Sequence, residues 1–371
     1  MLKKQIVIGS VLKPVDDIRH YHKLALSMTK TNKYGFNIIG FNSKNHSAHP
    51  DIIFTPLFYF KRISFGRLFA PARFFLKLVK LKPELIIVNS SEFLIVSCLY
   101  QIIFGTRIVY DIQENYQLNI KYLSPLPSFL KPLAAAWVRL SETMSAPFIS
   151  HFILAENSYT ALPFIGTRWT VLQNKALPLA VRTARKANLN APVFLVTGTL
   201  SLTYGVREAI DAFMKIHETI PGSQLHLCGK VPDKKSIRYI SETIDNYPSI
   251  KLIGGADGVP YETIQSAIAR ADFGLVFYPD NPAISECFPT KIWEYMSYRL
   301  PMIIQEERMW TNYCLEKKAA VIFKPGQAPT GEPLSILYGT FYPASIDYGD
   351  IYWTGEEQKL IQLINTLVSD Q

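Results

Sequence analysis

Residues 273–304 read FGLVFYPDNPAISECFPTKIWEYMSYRLPMII, and their order of apolar and polar stretches decides the fold. Phe273–Phe277 is a short run that is nearly all apolar and does not alternate, the pattern of a parallel strand covered on both faces. A polar loop follows, and then Pro289 and Thr290. These two have the chemistry of a helix start, because proline suits the first turn and a hydroxyl can cap. The spacing predicts a helix from about Pro289 to Tyr298, and Pro301–Ile304 is the next apolar run.

The same alternation extends in both directions. Apolar runs of this kind occur at Gln5–Gly9, Phe36–Gly40, Leu85–Val88, Arg107–Tyr110 and Phe152–Ala155 in the first half. In the second half they occur at Val193–Gly198, Gln224–Gly229, Ile250–Gly254, Phe273–Phe277, Pro301–Ile304 and Ala320–Phe323. Between them lie stretches of helical period, such as Gly205–Thr219 with Val206, Ile210, Phe213 and Ile216. Strand and helix in alternation argue for doubly wound α/β sheets. At 371 residues the chain exceeds the size at which one core stops growing, so two such sheets in tandem are expected. Ala176–Ala191 is polar, basic and poorly periodic, and reads as the linker. It separates a first domain over 1–180 from a second over 191–350.

Composition narrows the class. Hydrophobic residues make up 48% and charged residues 19%, a globular balance. Cys98, Cys228, Cys287 and Cys314 lack metal-ligand or redox spacing and read as free thiols in a reducing cytoplasm. MLKKQIVIGS at the start is a first strand and not a signal peptide. The apolar run 93–104, FLIVSCLYQIIF, falls short of the ~20 residues that span a bilayer. A soluble or peripherally attached cytoplasmic protein is expected. Residues 1–185 hold 23 Lys and Arg against 9 Asp and Glu, whereas residues 186–371 hold 16 against 21. Only the first half asks for a polyanionic neighbour. Its segment 56–83, PLFYFKRISFGRLFAPARFFLKLVKLKP, has seven cations, no acid, and Phe65, Leu68, Phe69, Phe74, Phe75 and Leu78 among them. That pattern suits an anionic membrane surface, rings in the headgroups and cations on phosphates; the alternative is aromatics in the core with solvated cations. No nucleic-acid reader motif accompanies it, so nucleic acid is not expected as a partner.

In open α/β sheets ligands sit beyond the carboxyl ends of strands. The loop and helix after Phe277 therefore matter most. A helix beginning near Pro289 offers unpaired N–H groups and partial positive charge, and Lys291 lies in its first turn, so a diphosphate would bind there. Glu294, in the second turn, has the acceptors for two neighbouring ribose hydroxyls, and Glu286 in the loop would reach a sugar. A solvated acidic loop before an ordinary amphipathic helix accounts for the same spacing.

Two glutamates with seven residues between them, ending in PTKIWEYM and followed by RLPMII, resemble the nucleotide-sugar signature of family 4 glycosyltransferases and their GT-B relatives. Val193–Gly205, Gln224–Gly229, Ile250–Gly254 and Ile264–Phe277 resemble, in order, the successive strands of the donor domain in that family. The resemblance implies two facing Rossmann-like domains, with a C-terminal helix, 355–371, crossing back to the first. It implies a retaining, metal-independent transfer from a nucleoside-diphosphate sugar to an acceptor, with no cofactor; a saccharide or lipid-linked acceptor in cell-surface polysaccharide synthesis is suggested by the basic first half. On it Glu294 binds ribose, Glu286 faces the donor sugar, and Gly198, Thr199 and Phe288, Pro289, Thr290 and Lys291 line the diphosphate. Family members usually carry an arginine and a lysine where Thr199 and Tyr204 stand; Lys291, Arg207 and Lys230 are the replacement cations. The absence of a D-x-D triplet agrees with the metal-free architecture.

The first half resembles the family less closely. VDDIRHYHKLAL at 15–26 is similar to the D-x-R start of a first helix, which places Asp17 and Arg19 on the acceptor side. DIQENY at 111–116 follows a strand, so Asp111, Gln113 and Glu114 are expected to point into the cleft, with Gln113 where many relatives have histidine. A polar turn capping the next helix is the other account of this motif. The histidines, His20 and His22 included, show no ligand spacing and read as surface or structural. Two rivals to a transferase stay open: a GT-B-fold epimerase or phosphorylase, and a non-catalytic binding or scaffold relative, to which Thr199 and Tyr204 point.

Overall fold

A computed structural model of the chain describes residues 3–43, 49–60, 64–124, 126–178, 190–306, 308–323 and 340–369. The chain forms two compact units, Met1–Asn174 together with Trp353–Gln371, and Lys175–Tyr352. Most of the stretch read as a linker, 179–189, lies outside the described residues.

The first unit is built on a parallel sheet of seven strands in the order β3-β2-β1-β4-β5-β6-β7. These are β1 (Lys4–Pro14), β2 (Tyr34–Phe41), β3 (Ile52–Phe58), β4 (Leu85–Val88), β5 (Arg107–Ile112), β6 (His151–Leu154) and β7 (Trp169–Val171). Five of them coincide with the apolar runs of the sequence. The other two, β3 and β7, are the sheet's edges. The apolar run of β3 is broken by Thr55 and Pro56, whose missing N–H an edge tolerates, and β7 is only three residues long. Side chains of β1 alternate between two layers. Val7 and Val11 pack beneath α2 (Ala70–Leu81) and α3 (Ser91–Phe104), and α5 (Lys131–Ser145) packs against α3. On the other layer lie a π-helix, Ile18–Ala25, running into α1 (Leu26–Thr29), and the C-terminal helix Trp353–Ser369. That helix is tied to this unit by Trp353 Nε1 donating to Ser27 Oγ at 2.9 Å and Tyr34 Oη donating to Asn365 at 2.8 Å. A single turn, α4 (Tyr116–Leu118), follows β5.

The second unit repeats the plan with six parallel strands in the order β10-β9-β8-β11-β12-β13. They are β8 (Val193–Thr199), β9 (Gln224–Lys230), β10 (Ile250–Gly255), β11 (Phe273–Val276), β12 (Met302–Ile304) and β13 (Ala320–Ile322). Their helices are α6 (Val206–Thr219), α7 (Lys234–Asn246), α8 (Tyr261–Arg270), α9 (Thr290–Ser297) and α10 (Thr311–Glu316). Successive residues of β8 serve opposite cores: Phe194 joins Ile210 and Phe213 of α6, and Leu195 joins Ile292 and Met296 of α9. Residues 340–352 follow the last strand and are rich in tyrosine. Tyr348 and Tyr342 flank the Arg299 guanidinium, at 3.6 and 5.5 Å from the ring centroids. The chain reverses direction along the sheet at β8 and β11, so the carboxyl ends of these two strands form the switch point where ligands bind in such sheets.

Candidate functional site

Two loops meet at that switch point. The first leaves β8 through Gly198, at φ +95°, and Thr199, then enters α6 through Gly205. A Cβ on Gly205 would stand 2.0 Å from the carbonyl oxygen of Phe277, so only glycine lets this loop lie against the end of β11. The second loop runs from Tyr278 to Pro289. Asn281 organises it, its carbonyl accepting from the N–H of Ile284 and Ser285 and its side chain from Ala283. Arg308, which no local motif marks, braces the same loop by donating to Tyr278 O at 2.7 Å and pairing with Asp280 at 2.9 Å. Glu286 stands exposed on this loop, between buried Ile284 and Phe288.

The helix after the loop begins one residue later than expected. Pro289 is the N-cap and Thr290 the first helical residue, so the threonine hydroxyl caps nothing; α9 has no side-chain cap. Its first turn therefore keeps N–H groups for an external partner. Lys291 is in that turn. Its side chain is 8% exposed, and the ammonium lies 5.2 Å from the ring centroid of Tyr278. Burial pushes its pKa down to about 8, with Glu294 opposing the fall. Half-buried Glu294 is surrounded by tyrosine: after burial, its charge contributes to raising the hydroxyl pKa of Tyr261, Tyr278, Tyr295 and Tyr298. Tyr295 pins the helix beneath the sheet, its hydroxyl accepting from Thr197 N–H and donating to Leu195 O.

The other cations are placed differently. Lys230 is exposed at the end of β9, directly beside Thr199 in the register, and so borders the first loop. Arg207 lies with its guanidinium 5.0 Å from the Tyr239 ring centroid and is engaged there. Thr199 is exposed, while Tyr204 is half-buried.

In the first unit Asp111 and Gln113, expected to point into the cleft, and Asp17 and Arg19, expected on the acceptor side, share one internal network. Asp111 is 0% exposed and Arg19 3% exposed. Arg19 Nε and Nη2 donate to both Asp111 oxygens at 2.7–3.1 Å, and Nη1 donates to Leu172 O at 3.0 Å. Neither group is left for an acceptor, because a buried guanidinium must be fully paired. Asp17 caps the π-helix by accepting from the N–H of Arg19 and His20. Burial acts to raise its pKa, but His20, Lys13 and these two N–H groups hold it below the ordinary value. Gln113 is half-buried, donates to Asp111 at 2.7 Å, and has His20 Nε2 at 3.0 Å. His20, read as surface or structural, is 1% exposed; burial lowers its pKa, so it is held neutral. An imidazole thus reaches the Gln113 position from another element. No local signal in the sequence joined the two. Glu114 accepts from Asn119 at 2.7 Å.

Residues 180–330 match the family model described as glycosyl transferases group 1. No curated protein sequence matches the chain. Among solved structures the chain is similar to a sucrose-phosphate synthase from Thermosynechococcus elongatus, at 14% identity and a TM-score of 0.68, with 100% of both chains covered. It is similar to HepE from Anabaena, solved with UDP and glucose, at 16% identity and a TM-score of 0.60, again with 100% of both covered. It is also similar to the catalytic domain of starch synthase IV from Arabidopsis thaliana, bound to ADP and acarbose, at 13% identity and a TM-score of 0.62, with 99% of both covered. At these identities the likeness is one of fold. The chain has the GT-B fold, two Rossmann-like parallel-sheet units with a C-terminal helix.

Proposed function

We propose that this protein is a glycosyltransferase that moves a sugar from a nucleoside diphosphate to a saccharide or lipid-linked acceptor. The observation that carries the reading is the start of α9: an almost fully buried lysine in a first turn that has no side-chain cap, one turn before Glu294. Burying a cation is costly unless an anion joins it. A diphosphate at a helix N-terminus supplies that anion. The domain match over 180–330 and nucleotide-bound structures of the same fold support the choice of ligand.

Glu294 takes the ribose hydroxyls and Glu286 the hydroxyls of the transferred sugar. Phe288 to Lys291, with Gly198 and Thr199, line the diphosphate, and Lys230 adds charge. The transfer retains configuration and needs no metal. An acceptor hydroxyl attacks the anomeric carbon on the face the diphosphate leaves, the carbon–oxygen bond to phosphate breaks, and the hydroxyl proton passes to the departing phosphate oxygen. Lys291 and the helix N-terminus stabilise the charge that develops there. Gln113, held by Asp111 and His20, hydrogen-bonds a sugar without exchanging a proton, and Glu114 lies one residue on. Asp17, Arg19 and Asp111 position it. Cell-surface polysaccharide synthesis at the cytoplasmic face of a membrane is the setting, on the strength of the basic first half.

Thr199 and Tyr204, in place of cations, favour a second reading, a binding subunit that holds a nucleotide sugar without transferring it. Thermal melting with UDP, GDP, ADP and CMP tests both. Stabilisation by one nucleoside diphosphate, lost in Glu294→Ala, is expected. No stabilisation by any of the four would refute nucleotide binding, and binding without turnover toward any acceptor would select the second reading.

A further inference from the structure

Helices α3 and α5 of the first unit are apolar on both sides. On α3, Phe93, Leu94 and Cys98 face the core, yet Ile95, Leu99 and Ile102 are 46%, 47% and 65% exposed. On α5, Ala135 and Val138 are buried, yet Leu133, Trp137, Leu140 and Met144 are 70%, 59%, 49% and 63% exposed. Each set recurs at intervals of three and four and so forms one outward stripe. A turn before α2, Phe65–Phe69, adds Phe65, Leu68 and Phe69, all more than half exposed. Because α3 packs against both α2 and α5, these surfaces adjoin. A helix that is apolar all round requires a second apolar neighbour, and a patch of this breadth marks an interaction surface.

Charge selects the neighbour. Helix α2 carries Arg73, Lys77 and Lys80, with Arg73 and Lys80 exposed, whereas on α5 Lys131 and Arg139 lie off the apolar stripe and Arg139 stacks over the Phe164 ring at 5.5 Å. The carboxylates on these three helices are two: Glu92, which pairs with Arg67, and Glu142, which is buried against Tyr110. The exposed apolar face is therefore bordered by the cations of α2, with no opposing acid. We propose that this face, formed by α2, α3, α5 and the Phe65–Phe69 turn, docks on a bilayer containing anionic lipid. Branched chains and rings enter the headgroup boundary while Lys and Arg meet lipid phosphates. A second copy of the chain would oppose its own cations. No helix among the described residues is long and apolar enough to cross a membrane, so the contact is one of surface insertion. The expectation from the sequence confined this contact to 56–83 and counted Phe74 and Leu78 in it. Both are 0% exposed core residues, and the larger share of the surface belongs to α3 and α5.

Flotation of the full-length protein with vesicles of phosphatidylcholine plus phosphatidylglycerol, and of phosphatidylcholine alone, tests this without reference to nucleotide binding. The protein should float with the anionic vesicles and dissociate as salt is raised. Leu99→Ser with Trp137→Ser should reduce partitioning about tenfold or more, with melting temperature and nucleotide-induced stabilisation unchanged. Arg73→Gln with Lys77→Gln should weaken binding to anionic vesicles and flatten its salt dependence. Failure of the unmodified protein to bind either vesicle overturns the proposal, as does undiminished binding of the Leu99/Trp137 variant. Self-association abolished by that variant, with no vesicle binding, would assign the face to a second copy and overturn it equally.

Discussion

Lys291 and Glu294 are three residues apart on α9 but carry different burdens. The lysine is buried with its charge poorly solvated, and the glutamate is half-open with tyrosines around it. If Glu294 holds ribose, Glu294→Ala should weaken nucleoside-diphosphate binding by about 1.5–3 kcal/mol, the worth of hydrogen bonds to a charged group, measured by calorimetry. Glu286→Gln should leave that affinity nearly intact and depress turnover. Lys291 adds a pH signature. Its pKa is about 8 without ligand, so the cation is present below that pH and lost as pH rises through it. Nucleotide affinity should therefore fall above pH 8, and the fall should be absent in Lys291→Gln. A flat profile in the unmodified protein would separate Lys291 from the diphosphate.

Elements place these residues, and two tertiary anchors do most of that placement. Tyr295 reaches from α9 to Thr197 and Leu195 on β8, and its ring occupies the space a Cβ on Gly274 would fill, at 2.4 Å. Tyr295→Phe leaves the buried Thr197 N–H without its partner and should cost about 1–3 kcal/mol in urea unfolding, with looser nucleotide binding as the helix shifts. In the first unit α5 is held to β5 by Glu142, whose pKa rises to about 7 because burial outweighs the Tyr110 hydrogen bond. A folded pKa above the ordinary 4.5 means stability is fully present below about pH 4.5 and declines as pH rises from there to about 7, by about 3 kcal/mol at most. Glu142→Gln should remove that decline, read as melting temperature between pH 5 and 8.

At the scale of the whole molecule, the chain leaves its first unit, completes the second and comes back. Trp353, Leu360 and Ile364 of the C-terminal helix are buried in the first unit, and Lys30 pairs with Glu357 at 2.6 Å. Removing residues 353–371 should therefore lower the melting temperature of the first unit and leave nucleotide binding by the second in place. Hydrogen exchange on the truncated chain checks this, since protection should fall in β1 and β2 and persist in β8 and β11. Loss of nucleotide binding alongside would show that the two units are not energetically separable.

The sequence alone determined the five inner strands of the first sheet and all six of the second, the strand–loop–helix around Glu286, Lys291 and Glu294, and the apolar and basic character of the first half. Those features are local: a fully covered strand needs an unbroken apolar run, and a helix start needs its residues within one turn. The tertiary structure decided the rest. Only it showed the edge strands of the first sheet, β3 with its apolar run broken by Thr55 and Pro56 and β7 with three residues. It also turned Asp111 inward onto Arg19, 92 residues away, and brought His20 to Gln113. Burial of Lys291, and exposure of one apolar side of α3 and α5, likewise depend on what packs against each helix. A side chain's partner and solvent are set by chain segments distant in sequence, and no local period reports them.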